Sequence, residues 1–437
     1  MPGSSCTMLI RLPASALSRL LLPTFGRPTI AMTGMARIFL RHYIRRPAAP
    51  LPAGGPHGYN AANMIRLQTS IPGGNAAHVS LRHEGDTAVV GFHPAPHGGP
   101  ETLWFCFRLV DGEGTRQVHL VLHNVHNMLG GGRPQFLRPV LRLDAADWDR
   151  LPAPQLIEHP DGRVDARWTI PAPRRHADIA CCYPYGREEL AALLKQTAGV
   201  WHCDTIGVSQ GGRPIVRLAN DYGTAGSTRP GLYLVARQHS GETPGSWALD
   251  GMLRELAERG NDAPMVWAVP LANIDGVEQG DYGKDNFPYD LNRAWGRPPM
   301  RHETLVLQQD IGRWRTRCKA ALAMDLHAPG ACEAEGIYAF LPRPGRFPQV
   351  EQPLAGAAET IRVALDCYAA AKFQRTADYP SRWETPNFTA YMNSLGVPGL
   401  SIETPYGLAG ELLLTREDYQ EAGRRIARGI LRHLGAA

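Results

Sequence analysis

The chain has two parts that differ in their pattern of hydrophobic and polar positions. From about residue 65 to residue 173, short apolar or alternating runs are separated by Gly, Pro and Asp. Several short strands at that spacing are typical of an antiparallel β-domain with a sandwich-like arrangement. The runs that predict these strands are Thr87–Phe92, Thr102–Leu109, Gln117–Val125, Gln135–Leu143 and Asp165–Ile170.

After Tyr183-Pro184-Tyr185, apolar strand patterns alternate with longer amphipathic stretches. This alternation predicts an α/β domain with a mixed, largely parallel sheet flanked by helices, in which ligands bind beyond the carboxyl ends of the strands. The predicted strands are Ile215–Leu218, Leu232–Ala236, Met265–Val269, Ala320–Leu326, Ile337–Leu341 and Gly399–Ile402. The predicted helices are Gly186–Thr197, Gly245–Arg259, Glu303–Cys318, Val350–Asp366, Phe388–Leu395 and Glu417–Leu434.

The charge of the chain is concentrated in its first 63 residues. They hold seven Arg and no Lys, Asp or Glu, which leaves 39 basic and 41 acidic residues in the remainder. The overall charge of +5 therefore does not indicate a nucleic-acid partner for the folded part. We predict a disordered basic tail at 1–63, a β-domain at 64–175 and a catalytic α/β domain at 176–437; the tail's composition also resembles a transit peptide.

Cysteine usage and hydropathy bear on the compartment. The eight cysteines form no Cys-x-x-Cys pair, and a chain of 437 residues needs no disulfides to fold. The apolar stretch Leu20–Leu22 is too short for a membrane span. These features predict a cytoplasmic protein with reduced thiols and no membrane partner, and they are silent on oligomeric state.

Three side chains at predicted strand ends suit a zinc ion. The strand Leu232–Ala236 leads into His239 and Glu242, and a helix follows at once. His327 stands where the strand Ala320–Leu326 ends. Two imidazoles and one carboxylate are a typical catalytic zinc set, because they leave one coordination position for water or substrate. The sequence therefore predicts one Zn²⁺ per chain, although a His-x-x-Glu pair alone also occurs by chance.

Two further segments offer groups for hydrolysis. Glu403 ends the strand Gly399–Ile402, and a carboxylate there is either a salt-bridged strand terminus or the general base that a zinc hydrolase requires. Asn292 and Arg293 place an amide beside a guanidinium, which together can bind a carboxylate. The Gly-x-Ser-x-Gly segment 207–211 is instead interpreted as a hairpin-type turn, because no helix pattern follows it.

Taken together, these motifs resemble the zinc metallocarboxypeptidase family of carboxypeptidase A, and most closely its cytosolic carboxypeptidase branch. The resemblance covers roughly residues 65–435. It rests on the following segments: His239-x-x-Glu242, Asn273–Val277, Asp290-Leu291-Asn292-Arg293, Asp325-Leu326-His327, Glu403, Trp104–Arg108 and Cys182–Tyr185.

The resemblance implies a role for each matching residue. His239, Glu242 and His327 would be zinc ligands, with Glu403 as general base/acid acting on a zinc-activated water. Asn292 and Arg293 would bind the substrate's terminal carboxylate, and Asp290 would orient His239.

One position departs from the family pattern. Where relatives carry an Arg that polarises the scissile carbonyl, this chain has Gly283, followed by Lys284, which could act as a point charge. The family's substrate-binding Tyr could be Tyr379. The departure leaves open what activates the carbonyl.

The sequence is compatible with two functions. The first is a carboxypeptidase that hydrolyses C-terminal residues from peptides or proteins. The second is an aspartoacylase- or succinylglutamate desuccinylase-like amidohydrolase, which has a similar site and acts on small N-acyl amino acids. The long N-terminal β-domain and the Cys-Tyr-Pro-Tyr stretch favour the first.

Overall fold

The fold was examined in a computed structural model, which describes residues 65–97, 99–110, 114–144, 146–285, 289–376 and 387–435. The predicted basic tail, 1–63, and Tyr379 lie outside the described residues. No helix in the described part is both long and apolar enough to cross a membrane.

Ten strands form two sheets in the N-terminal part of the described chain. They are β1 (Arg66–Gln68), β2 (Ala77–Glu84), β3 (Thr87–His93), β4 (Cys106–Val110), β5 (Gln117–Leu122), β6 (Val140–Leu143), β7 (Asp149–Arg150), β8 (Gln155–Glu158), β9 (Val164–Pro171) and β10 (His176–Ala180). One sheet has the order β1-β4-β10-β6-β7 and is antiparallel throughout. The other has the order β2-β3-β5-β9-β8, with one parallel pair, β3 and β5.

Aromatic side chains join the two N-terminal sheets. The ring of Phe92 on β3 lies 4.8 Å from that of Phe107 on β4, measured between centroids, and 5.2 Å from that of Phe105. All three rings are buried. This apolar layer between two sheets is the sandwich-like core that the alternating pattern predicted.

The second part of the chain contains the predicted α/β fold. Its strands are β11 (His202–Val208), β12 (Pro214–Ala219), β13 (Pro230–Ala236), β14 (Met265–Val269), β15 (Lys319–His327), β16 (Ile337–Leu341), β17 (Ala369–Thr376), β18 (Gly399–Glu403), β19 (Leu408–Ala409) and β20 (Leu412–Leu413). Eight of them form one sheet in the order β11-β12-β14-β13-β15-β18-β16-β17, and β19 pairs with β20. The central strands β14, β13, β15 and β18 are parallel.

Seven α-helices accompany these strands in the described part of the chain. They are α1 (Arg187–Gln196), α2 (Thr243–Glu258), α3 (Ile274–Gln279), α4 (His302–Arg315), α5 (Pro348–Leu365), α6 (Phe388–Ser394) and α7 (Arg416–His433). Helix α7 packs against α2 and α5, while α4 and α6 contact strands of the sheet. Strand β14 is buried at every residue, which requires cover on both faces of the sheet. The predicted mixed, largely parallel sheet is therefore confirmed.

Segment 207–211 lies in a hairpin. Strand β11 pairs with β12 in antiparallel register, with Val208 opposite Pro214, and Ser209 to Gly212 form the turn. The Ser209 hydroxyl donates to Asp275, 2.8 Å away, so it supports the turn. The interpretation of this segment as a hairpin turn is confirmed.

Loops of the N-terminal sheets contact the loops at the carboxyl ends of the central strands. The Asn75 amide donates to the Gly280 carbonyl at 2.8 Å, and the Ala331 N–H donates to the Leu129 carbonyl at 3.0 Å. Gly130 and Gly330 approach so closely that a Cβ on Gly130 would lie 2.5 Å from the Gly330 Cα. The N-terminal sheets therefore form part of the surroundings of this sheet edge. The division at residues 175 and 176 stays a prediction.

Candidate metal centre

Three predicted ligands meet at the carboxyl ends of β13 and β15. His239 follows β13 by three residues, Glu242 immediately precedes helix α2, and His327 is the last residue of β15. One ligand atom from each lies within 4.8 Å of the others, and all three side chains are buried. The Nδ1 atoms of His239 and His327 lie 2.8 and 2.6 Å from the two oxygens of Glu242. Both imidazoles thus direct the same nitrogen toward the carboxylate.

The other nitrogen of each imidazole faces a second carboxylate. His239 Nε2 lies 3.0 Å from Asp290 Oδ2, and His327 Nε2 lies 2.7 Å from Asp325 Oδ2. A carboxylate at Nε2 holds the proton there and leaves the Nδ1 lone pair for a metal. Two Nδ1 atoms and the Glu242 carboxylate are a mixed nitrogen and oxygen set that suits catalytic zinc. The residues present therefore fit one Zn²⁺, which His239, Glu242 and His327 would hold.

The charges of this cluster shift the pKa of each histidine. Burial by itself would lower the pKa of His239, but the charges of Asp290 and Glu242 raise it above its ordinary value. Burial opposes protonation of His327 as well, yet Asp325 and Glu242 raise its pKa well above the usual range. In the metal-free protein the neighbouring carboxylates therefore favour the protonated form of each imidazole, and a bound cation would compete with those protons.

Glu403 lies next to this cluster. It ends β18, and it is the register partner of His327 on the neighbouring parallel strand. Burial raises the pKa of Glu403 to about 7; the charge of Glu242 adds to this rise, while His327 and Lys284 oppose it. A carboxyl group with this pKa exchanges its proton readily near neutral pH, as a general base or acid must. The structure thus brings Glu403 and the three ligands to one place.

The loop before Asp290 explains why no arginine stands at position 283. Gly283 has a φ of +87°, and a Cβ there would lie 2.5 Å from the Ser240 Oγ and 2.6 Å from the Ser240 N. A side chain at 283 would therefore collide with the turn between His239 and Glu242. Lys284 follows directly, and its charge acts on Glu403.

The side chain of Asn292 points toward His327. Its amide nitrogen lies 2.9 Å from His327 Nε2, and its amide oxygen accepts from Gln238 Nε2 and from the Phe388 N–H, each at 3.1 Å. Arg293 is 7% exposed, and its Nη1 donates to the Asn292 carbonyl at 2.9 Å. Asn292 is therefore in contact with a predicted ligand, and the charge of Arg293 acts on Asp290, which faces His239.

Two buried residues of the cluster, Asp325 and Gln238, were not predicted from the sequence to support the site. Asp325 Oδ2 accepts from Gln238 Nε2 at 2.6 Å in addition to facing His327, and Gln238 Oε1 accepts from Trp295 at 2.7 Å. The signal for Asp325 was its place two residues before His327, since alternate residues of a strand share a face. Gln238 had no such signal, because its partners come from distant segments.

The fold and the site together define a zinc-binding α/β protein whose metal ligands stand at strand ends. Comparison with known proteins then places the chain more narrowly. Residues 187–327 match the family model described as zinc carboxypeptidase. This match confirms the resemblance to the zinc carboxypeptidase family that was seen in the sequence.

The chain is also similar to individual proteins. The chain is 27% identical over 237 residues to an uncharacterized protein of Zymomonas mobilis, covering 52% of this chain and 59% of that protein. It is 25% identical over 379 residues to cytosolic carboxypeptidase 6 of Mus musculus, covering 75% of this chain and 66% of that protein. The chain therefore spans about three fifths to two thirds of these relatives.

Among solved structures, a metallo-carboxypeptidase from Burkholderia cenocepacia has a similar fold. Its TM-score is 0.68 at 20% identity, with 85% of this chain and 99% of that chain covered. At this identity the likeness establishes the fold. The predicted carboxypeptidase-like fold is confirmed, and these comparisons do not favour the amidohydrolase alternative.

Proposed function

We propose that this chain is a zinc-dependent metallocarboxypeptidase that hydrolyses C-terminal residues from peptides or proteins. The observation that carries the proposal is the convergence of His239, Glu242 and His327 with Glu403 at neighbouring strand ends. A binding protein would need no carboxyl group with a pKa of about 7 beside a metal set. The matched family and the name of the mouse relative support the same reaction class.

Each residue of the cluster has a distinct task in this proposal. A bound zinc ion supplies a Lewis acid that polarises a carbonyl group and lowers the pKa of a nearby water molecule. Glu403 accepts a proton as general base and returns it to the leaving amine as general acid. Asp290 and Asp325 keep the ligand imidazoles oriented through their Nε2 atoms.

In this proposal, cationic and amide side chains recognise the C-terminal end of the substrate. Arg293 provides a guanidinium at the edge of the cluster, and Asn292 an amide beside it, for the terminal carboxylate. Lys284 provides the positive charge next to the substrate carbonyl, in place of an arginine that position 283 has no room for. We keep a cytoplasmic location as part of the proposal, with neither nucleic acid nor membrane as partner.

A peptide library tests this function directly. The zinc-loaded protein is incubated with the library, and mass spectrometry follows the loss of single C-terminal residues. Matched peptides with a C-terminal amide are the control, and they should remain intact because the carboxylate contact is removed. Intact free-acid peptides, together with hydrolysis of N-acetylaspartate or succinylglutamate, would overturn the proposal in favour of an amidohydrolase.

A further inference from the structure

A buried arginine of the N-terminal sheets reaches the segment that follows Glu403. Arg150 belongs to β7 and is 8% exposed. Its Nε donates to the Leu414 carbonyl at 2.8 Å, and its Nη1 donates to the Tyr406 carbonyl at 2.8 Å. The guanidinium also lies over the ring of Tyr183, 4.7 Å from its centroid. A side chain of the N-terminal sheets is thus buried beside the segment that follows Glu403 in the α/β part of the chain.

The hydrogen bonds of Arg150 use its whole donor set. Besides the two contacts above, Nη1 donates to the Arg138 carbonyl at 2.6 Å, and Nη2 faces the Tyr419 hydroxyl at 3.1 Å and the Cys182 Sγ at 3.7 Å. A guanidinium has five N–H groups in a fixed planar arrangement, and here they face five acceptors. Among the described residues these acceptors include no carboxylate. Burying a cation without a counter-ion is costly, so an ion pair does not explain why Arg150 is buried at this position.

The bonds made by Arg150 continue to the metal cluster through Tyr406. The Tyr406 hydroxyl donates to the Gly241 carbonyl at 3.3 Å, in the turn between His239 and Glu242. The Tyr419 hydroxyl, which Arg150 contacts, lies 2.7 Å from the Tyr406 carbonyl. Arg150 therefore fixes the backbone three residues after Glu403, and Tyr406 ties that backbone to the ligand turn.

We propose that Arg150 is a positioning residue for Glu403, through which the N-terminal sheets set the geometry of the proton-transferring carboxylate relative to the metal ligands. Its planar fork holds two carbonyls, those of Tyr406 and Leu414, at fixed distances on either side of the β19–β20 hairpin. A lysine keeps the charge but has a single nitrogen, so it cannot hold both carbonyls in the same geometry. The catalytic part of this inference rests on the proposed function.

The variant Arg150→Lys tests the inference. We expect it to fold and to keep its zinc, while kcat falls by about 10–100-fold and KM changes little, since a small misplacement of a reacting group costs rate. A role in folding alone would lower the amount of active protein and leave the turnover of each folded, zinc-loaded molecule unchanged. Asp147→Asn is the matched control: it removes an exposed ion pair with Arg416 near the same β-strand, and kcat should stay unchanged.

Hydrogen exchange provides a readout that does not depend on activity. In the metal-free protein, amides of residues 403–414 should exchange faster in Arg150→Lys than in the wild type, and Asp147→Asn should leave them unchanged. If Arg150→Lys does not fold, Tyr406→Phe removes only the hydroxyl contact with Gly241, and it should lower kcat at unchanged zinc content.

The outcomes separate this inference from the proposed function. If the wild type cleaves no peptide, the proposed function fails, and exchange still decides whether Arg150 holds the segment. If the wild type is active, an unchanged kcat in Arg150→Lys overturns the inference, whatever the exchange shows. A lower kcat without faster exchange also overturns it, because the effect would then not pass through residues 403–414.

Discussion

Replacing Glu403 by Gln should stop turnover and, at the same time, stabilise the metal-free fold. Burial raises the pKa of this carboxyl from 4.5 to about 7. A raised pKa in the folded state means that the native protein holds the proton where the unfolded chain has released it. Stability is therefore lost as the pH rises from 4.5 toward 7, and the loss is complete above that range. Glutamine keeps the shape without the charge and so removes the loss.

The pKa of Glu403 sets the size of the effect. A rise from 4.5 to about 7, at about 1.4 kcal/mol for each pH unit, gives an upper limit of roughly 3 kcal/mol. Urea unfolding of the chelator-treated proteins should show Glu403→Gln to be more stable than the wild type at about pH 8, with little difference at about pH 4.5. Turnover of the zinc-loaded variant should fall by about 10²–10⁴-fold if proton transfer is lost.

A matched carboxylate provides the control. Glu411 lies exposed between β19 and β20, and Glu411→Gln should change the stability by less than about 0.5 kcal/mol at either pH. Equal stabilisation by Glu403→Gln at both pH values would refute the electrostatic reasoning. Retained turnover in that variant would refute the role of Glu403 as general base.

Three further predictions concern the metal. By elemental analysis the wild type should contain about one zinc ion per chain, and His327→Ala should contain none. Unchanged metal content in the variant would show that His327 is not a ligand. Asp290→Asn should weaken zinc binding by about 10–100-fold in a chelator competition, because the Nε2 of His239 loses its carboxylate. Because carboxylates raise the pKa of both His239 and His327, zinc should compete with protons at these imidazoles, so its affinity should increase as the pH rises. Calorimetry in buffers of different ionisation enthalpy measures that proton release, and a pH-independent affinity would contradict it.

Continuous burial made some strands easier to predict from the sequence than others. The strands at Met265–Val269 and Ile337–Leu341 have the predicted bounds, because each is a continuous apolar run. The predicted strands did not include the edge strands β2, β11 and β17, in each of which at least half of the side chains are exposed. An edge strand is held by backbone hydrogen bonds on one side, which leave no trace in hydropathy.

In the candidate site, too, some features could be predicted from the local sequence and others could not. His239, Glu242, His327 and Glu403 could be anticipated because each stands just after an apolar run, and strand ends of a parallel sheet meet at one edge. The contacts of Gln238 could not, since its partners, Asn292, Asp325 and Trp295, come from two other segments that are distant in sequence. Local pattern identifies where chemistry lies, whereas the support of each ligand depends on long-range packing.

The absence of an arginine at position 283 follows from how tightly the ligand turn is packed. The Ser240 N and Oγ occupy the space that a Cβ at 283 would need, and the backbone there has a φ of +87°. The turn that places His239 and Glu242 three residues apart is thus held by a close backbone approach that only glycine permits. In the proposed function, a cation for the substrate carbonyl would come from another position, and Lys284, whose charge acts on Glu403, is the neighbour that this loop supplies. The same close approach that orders the metal ligands therefore moves the proposed carbonyl-polarising charge one residue along the chain.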